Sequence, residues 1–283
     1  GVAYPDYTMY SSGNPALSAE TAETWDVGVI FTPRALPGLS LNASYFRLDK
    51  QSNISTLTLQ QAIESFPELV VRGAPTADDI AANRPGAVTE FHNKPVNIAR
   101  YFTDGIDVEL KYRLPARAWG QLTLLSAGTW TERIFTQGRP GQPEVSTLGL
   151  AGSTGSFTLK ERINTTAIWS RGAWSTSLTG SYAGKFEAPT TTASALNPAG
   201  SGIDGDSLGG QWVMDAQFDY MVADGGAQAG GMRQWLGGTR WTMGVLNLFD
   251  TEPGLWTDAF RAFTTPFVDP RQRFMYLQLR KAF

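Results

Sequence analysis

Apolar and polar residues alternate with a period of two through most of this chain. Trp25, Val27, Val29 and Phe31 share one side of a strand that begins near residue 22, against Asp26, Gly28 and Ile30. Within residues 39 to 50, Leu39, Leu41, Ala43 and Tyr45 face away from Ser40, Asn42 and Ser44. The cleanest case sets Ile106, Val108, Leu110 and Tyr112 against Asp107, Glu109, Lys111 and Arg113. A strand near 121 to 134 follows, and its alternation slips between Leu124 and Leu125, which predicts a bulge. Ile163, Thr165, Ala167 and Trp169 then alternate with Arg162, Asn164 and Thr166. After the tight turn Ser170-Arg171-Gly172-Ala173 the chain returns through Trp174, Thr176, Leu178 and Tyr182. At 211 to 222, Trp212, Met214, Ala216, Phe218 and Tyr220 oppose Val213, Asp215, Gln217 and Asp219. Two more strand patterns, 240 to 249 and 271 to 283, end the chain, the last with Met275, Leu277, Leu279 and Phe283 on one face. Alternation thus predicts about nine strands in an all-β, antiparallel fold.

The connections alternate too, short after 33, long after 50, short after 113, long after 134, short after 169 and long after 187. Short turns at one end and long loops at the other are the layout of an up-and-down transmembrane β-barrel. On that reading 51–98, 135–158, 188–210 and 250–270 are extracellular, and 34–38, 114–119, 170–173 and 223–239 are periplasmic. Trp119, Trp169, Trp174 and Trp241 fall beside the periplasmic turns, as an aromatic girdle does. A soluble β-sandwich also buries one face of each strand, but it gives no reason for one-sided loop lengths. The insertion 51–98 carries two short helical patterns, TLQQAIESF and PTADDIAAN, the second capped by Thr76 with Asp79 three residues on.

Composition narrows the class. The 283 residues carry 23 Lys and Arg against 26 Asp and Glu, a net charge of −3, so no basic field invites nucleic acid. No apolar run reaches the roughly 18 residues of a transmembrane helix. Aromatic residues make up 12% of the chain and glycine contributes 30 positions, which suits short strands, turns and interfacial belts. Cysteine is absent, so neither disulfides nor cysteine-held metals staple the fold. The chain opens on GVAYPDYTMY without an apolar leader, as expected of a segment cut from something longer. Nine strands leave both sheet edges open, which is costly in lipid, so a remainder of the barrel or a second chain is expected to close it.

Three stretches carry a family resemblance. Asn14-Pro15-Ala16-Leu17 with Glu20-Thr21 before the first strand, the strand opening Gly105-Ile106-Asp107, and Asn247-Leu248-Phe249-Asp250 with the terminal Phe283 together resemble the β-barrel of TonB-dependent outer-membrane receptors. The resemblance covers most of the chain, and Lys281 departs from it, standing where the family has an aromatic. It implies about nine strands, counted as 14 to 22, of a barrel of about 22, in the outer membrane of a Gram-negative bacterium. It also implies active uptake of a scarce nutrient of the ferric-siderophore, cobalamin or saccharide class. The expected partners are outer-membrane lipid, a TonB-type energy-coupling complex acting through a plug, the small nutrient ligand, and the barrel-assembly machinery, which reads Phe283. The family's plug and TonB box have no counterpart in these residues.

Candidate chemistry is sparse. His92 is the only histidine and lies in a long loop, where a solvated side chain is commoner than a catalyst. Asp215 and Asp219 share a strand face about 13 Å apart, too far for joint acid–base work. With Asp107, Glu109 and Lys111 they are expected to line a hydrated lumen. GGAQAGG lacks the Lys-Ser/Thr of a phosphate loop, and no pattern implies a cofactor or metal; Asp204 and Asp206 alone are a weak calcium turn. Trp256, Phe260, Arg261, Phe263 and Phe267 in the 250–270 loop, with Thr89, Glu90, His92 and Lys94, are candidates for ligand contact; packing of that loop's aromatics onto neighbouring loops is the competing reading. The pattern therefore predicts a transporter and no enzyme, with a passive porin, a barrel hydrolase and one half of a multi-chain barrel as alternatives.

Overall fold

A computed structural model describes residues 7–150, 158–187, 207–223, 231, 235–253 and 267–281. In chain order these form β1 (Thr8–Ser11), β2 (Thr21–Phe31), β3 (Leu39–Ser55), α1 (Leu59–Ser65), β4 (Val70–Arg72), α2 (Ala77–Ala81), β5 (Val88–Asn93), β6 (Val96–Arg113) and β7 (Gln121–Gln137). There follow β8 (Val145–Ser146), β9 (Glu161–Arg171), β10 (Trp174–Ala183), β11 (Phe186–Glu187), β12 (Ser207–Leu208), β13 (Gln211–Met221), β14 (Thr239–Leu246) and β15 (Phe274–Lys281). Nine strands pair in the order β15-β14-β13-β10-β9-β7-β6-β3-β2, a meander of sequence neighbours that does not close on itself. Residue contacts group the chain into two units, one of residues 1–25, 47–104 and 133–147, the other of 26–46, 105–132 and 148–283.

In the second unit the apolar side of the sheet is the exposed one. Val29 (63%), Met243 (58%), Met275 (66%) and Leu277 (67%) stand open, all on the faces that alternation marks as apolar. A water-soluble sheet would bury these side chains; a lipid-facing one presents them. Register lines up aromatics at two levels of this face. Trp174 pairs with Tyr220, and eight residues along, Tyr182 pairs with Trp212. Ring centroids in these pairs lie 4.2 and 5.0 Å apart. Eight residues rise about 26 Å along a strand, close to the roughly 25 Å apolar band of outer-membrane barrels. Hydroxyls on the apolar face are paired: Ser126 and Thr165 meet at 2.8 Å.

Turn chemistry fixes the meander. Gly172 (φ 58°) opens the two-residue link between Arg171 and Trp174, the position a type II′ hairpin reserves for glycine. In Asn247-Leu248-Phe249-Asp250 both Asn247 (φ 53°) and Asp250 (φ 59°) take left-handed backbone, which short polar side chains tolerate. Asn247 is 3% exposed and closes a ring with Thr251: its Oδ1 accepts from the Thr251 amide and its Nδ2 donates to the Thr251 carbonyl, both at 2.8 Å. Its own amide donates to Asp215 at 2.8 Å. Asp250 accepts from the Arg273 amide at 2.9 Å, a bond that lowers its carboxyl below the ordinary range and ties the turn to the start of the final strand.

The apolar core sits in the first unit: Ala62, Phe66, Leu69, Phe91, Val96 and Ile98 pack together. It is built by α1, a 3-10 turn at Pro67–Leu69, and a three-stranded sheet β1-β5-β4 in which β1 runs parallel to β5. Both helices start on capping boxes, Thr58 with Gln61 and Thr76 with Asp79. The Thr76 hydroxyl, then its amide, hold the Asp79 carboxyl below its ordinary range.

Three expectations change. The insertion placed at 51–98 is shorter, because β3 runs to Ser55 and β6 starts at Val96. Alternation failed there because DKQSNIS is polar on both faces; side chains hold it instead, Lys50 to Glu20 at 2.7 Å and Asn97 to the Ser18 and Ser52 carbonyls at 3.0 and 2.7 Å. The bulge at Leu124/Leu125 does not interrupt pairing with β9, which runs unbroken from Gln121–Ser170 to Trp130–Glu161. The last strand is observed over Phe274–Lys281 and begins three residues later than alternation placed it; Phe283 lies outside the described residues.

Replacing Asn247 by Ala removes the ring that this buried side chain makes to Thr251, and a loss of about 2–3 kcal/mol is expected in urea unfolding of the folded barrel. Asp269 gives the pH test. Hydrogen bonds from the Arg271 side chain, at 2.5–3.1 Å, then from its amide, lower it from 3.8 to about 2. A depressed folded-state value means that this pair's contribution is complete above 3.8 and is lost as pH falls through about 2. Carboxyl NMR of Asp269 should therefore titrate near 2 and not near 4.

Candidate functional site

Three arginines of the first unit converge on one buried ring. Arg47 comes from β3, Arg100 and Phe102 from β6, Arg133 and Phe135 from β7. Phe102 is 2% exposed and stacks on Phe135 with centroids 4.9 Å apart. The guanidinium carbons of Arg47, Arg100 and Arg133 lie 5.1, 5.1 and 4.9 Å from its centroid, within cation–π range.

Like charges gathered this way repel unless countered, and here carboxylates counter them. Asp49 takes Arg100 in a two-pronged pair, Nε at 2.8 Å and Nη2 at 2.5 Å, and also Arg47 at 3.2 Å. Glu144 lies 3.3 Å from Arg100. Arg133 grips the buried Asp104 through both Nε and Nη2. Three cations meet three carboxylates, so the set is neutral at rest and clamps three strands together. Arg47 and Arg133 keep 39% and 57% of their side chains exposed. Their planar guanidinium groups, beside aromatic rings, are suited to anionic oxygens and flat π systems.

This cluster was not legible in the sequence. Arg47, Arg100 and Arg133 lie 53 and 33 residues apart on three strands, in no motif, and only strand pairing gathers them.

None of the described residues singled out from the sequence belongs to this cluster. His92, on β5, stacks on Tyr10 at 5.3 Å with its Nε2 3.3 Å from Glu90. Phe267 packs edge-on against Phe186 at 6.1 Å, beside the buried Val268. Trp256, Phe260, Arg261, Phe263, Asp204, Asp206 and Phe283 lie outside the described residues. Asp107 and Glu109 join Asn42, Thr129, Arg162 and Asn164 around a concavity of about 430 Å³ in the second unit. Lys111 is exposed one step further along β6.

That polar face is stitched across strands. Thr129 donates to Asp107 at 2.6 Å, Ser181 to Asn164 at 2.9 Å, Thr242 to Asp219 at 2.5 Å, and Tyr276 to Gln217 at 3.0 Å. Among the described residues no group of three or more His, Asp or Glu is placed to hold a metal ion.

Comparison with known proteins gives these features a frame. No curated protein sequence matches the chain. Among solved structures, a mutant of the ferric enterobactin receptor PfeA of Pseudomonas aeruginosa, in complex with enterobactin, is similar with a TM-score of 0.55 at 17% identity, over 96% of this chain and 33% of that one. The siderophore receptor PirA of Acinetobacter baumannii is similar with a TM-score of 0.54 at 15% identity, over 95% of this chain and 32% of its own length. The FrpB iron transporter of Neisseria meningitidis gives 0.53 at 13% identity, over 95% and 32%. At such identities the likeness establishes the fold, and the chain spans about a third of the length of these proteins. A family model, "TonB dependent receptor-like, beta-barrel", matches residues 3–248. With most of its length inside that match, the chain belongs to the TonB-dependent receptor family, as part of the receptor's β-barrel.

Proposed function

We propose that this chain is part of an outer-membrane receptor that imports an iron–siderophore complex rich in anionic aromatic oxygens. The observation that carries the ligand class is the Arg47–Arg100–Arg133 set around Phe102 and Phe135. Incoming oxyanions compete with Asp49, Asp104 and Glu144 for the guanidinium groups, while ligand rings stack beside the phenylalanines. That exchange is inexpensive for Arg47, which holds a single carboxylate at 3.2 Å. A cobalamin or a neutral saccharide has less use for three cations. Enterobactin in the PfeA complex and the siderophore receptor PirA support the same class.

On this reading the outward apolar face sits in the outer membrane and the hydrogen-bonded polar face lines the lumen. A plug supplied outside these residues gates the lumen and an energy-coupling complex drives release. The 250–270 loop, with Trp256, Phe260, Arg261, Phe263 and Phe267, and the His92 strand serve as outer contacts. The terminal Phe283 serves as the assembly signal. Binding and gated passage break no bond, so no catalytic residue is assigned.

Labelled-iron uptake by iron-starved cells tests the reading. Arg47→Gln in the intact receptor should weaken capture of a ferric catecholate by about tenfold, the loss of one charged hydrogen bond, without altering the amount of folded receptor. Uptake should stop when the proton-motive force is collapsed. Uptake that persists without that force identifies a passive pore. An Arg47→Gln receptor with unchanged ferric catecholate affinity removes the ligand class.

A further inference from the structure

The polar face of the second unit changes character at its turn end. Higher on that face the carboxylates and amides are engaged: Thr129 donates to Asp107, Thr242 to Asp219, the Asn247 amide to Asp215, and Tyr276 to Gln217. At the turn end the charges on the same face, among the described residues, are all positive. Lys111 and Arg113 lie in the last three residues of β6, Arg240 is second in β14 and Arg280 is next to last in β15; all four are exposed.

Register makes two of these cations unusual. Arg240 is the direct cross-strand partner of Arg280, which sets their Cβ atoms about 4.5–5.5 Å apart, and like charges directly opposite destabilise a sheet. The strands cannot slip to relieve them. Four residues from each, Gly244 pairs with Tyr276, whose ring covers the glycine so closely that no Cβ would fit there and whose hydroxyl holds Gln217 of β13 at 3.0 Å. Asp219, opposite Thr242, already accepts from Thr242 and from Gln217. Among the described residues none of the four cations forms an ion pair with a carboxylate. At the loop end of the same unit the reverse holds: Lys185 pairs with Glu187, Arg271 with Asp269 and Arg273 with Asp250, at 2.5–3.1 Å. Two guanidinium groups fixed side by side without a counter-charge are suited to an oxyanion, which each can grip through a planar fork of donors.

We propose that Arg240 and Arg280 form an exit site on the lumen wall for the anionic oxygens of the imported complex, with Lys111 and Arg113 extending the same positive field. The inference rests on the uptake reading above, which supplies such an anion on this face. A complex released from its capture site has to reach the periplasmic end of the lumen, and cations placed there draw it in that direction. A carboxylate from the receptor's own remainder offers the same chemistry, and the experiment separates the two.

The test uses the intact receptor in iron-starved cells with a labelled ferric catecholate. Surface affinity is read with the proton-motive force collapsed, and uptake rate per receptor with it intact. The double variant Arg240→Gln/Arg280→Gln should keep the affinity within about twofold and lose about tenfold in uptake rate, the scale of one charged contact. Arg240→Lys/Arg280→Lys, which keeps both charges, should recover most of that rate. The thermal midpoint of the purified receptor without ligand should not fall in the Gln variant, because removing a repelling pair relieves the sheet. A wild-type uptake rate in the Gln variant overturns the exit site, as does a loss of affinity equal to the loss of rate. A lowered midpoint without ligand overturns it in favour of a carboxylate held within the receptor. Failure of the uptake reading looks different: the unaltered receptor then takes up no ferric catecholate, or takes it up with the force collapsed, before any variant is compared.

Discussion

A peptide group in a hydrocarbon phase finds a hydrogen-bond partner only in its own protein, and the arrangement of this chain follows from that constraint. Each of the nine strands of the long sheet pairs with the next of the nine in chain order, and the β7–β9, β9–β10 and β10–β13 registers run without a break. With the backbone satisfied in this way, side chains are free to invert the ordinary rule. Leucine, methionine and tryptophan stand outward, while threonine, asparagine and aspartate bond to one another on the other face. The few hydroxyls on the apolar side obey the same logic, Ser126 satisfying Thr165.

A second principle governs the first unit. There β3 continues into a segment polar on both faces, while β6 still alternates and buries Val96, Ile98 and Phe102. Burial comes from a small apolar core around Phe66 and Phe91, and from ion pairs set on rings. Arg139 shows the pattern on a small scale: its guanidinium carbon stands 4.4 Å over Phe66 while its nitrogens reach Glu68 and the Ser65 carbonyl. The Arg47–Arg100–Arg133 set repeats it with three cations and three carboxylates. Such a set holds its three strands through charges paired on both sides.

The family's short sequence marks acquire physical reasons in this setting. Asn247 and Asp250 both sit where the backbone turns left-handed and where turn amides are capped, that of Asn247 by Asp215 and that of Arg273 by Asp250. Asn14 works similarly, accepting from the Ala16 amide at 3.0 Å and donating to the Pro95 carbonyl at 2.9 Å, which anchors the entry to β2. Each motif is a turn whose side chains do the hydrogen bonding that strands do elsewhere.

The sequence by itself determined the nine-strand meander, its apolar and polar faces, two short helices with the Thr76 cap, and the family, because period-two alternation, capping boxes and turn residues are local signals. It misplaced the end of β3, where polar residues on both faces erase the period, and the start of β6, although Val96, Ile98 and Phe102 alternate there into the core; it also read a bulge into Leu124-Leu125, where the ladder tolerates a leucine on the polar side opposite Thr166. Tertiary structure alone decided that Arg47, Arg100 and Arg133 meet on Phe102, and that Arg240 stands opposite Arg280. Both depend on register between strands far apart in sequence, and register is set by pairing that no single strand encodes.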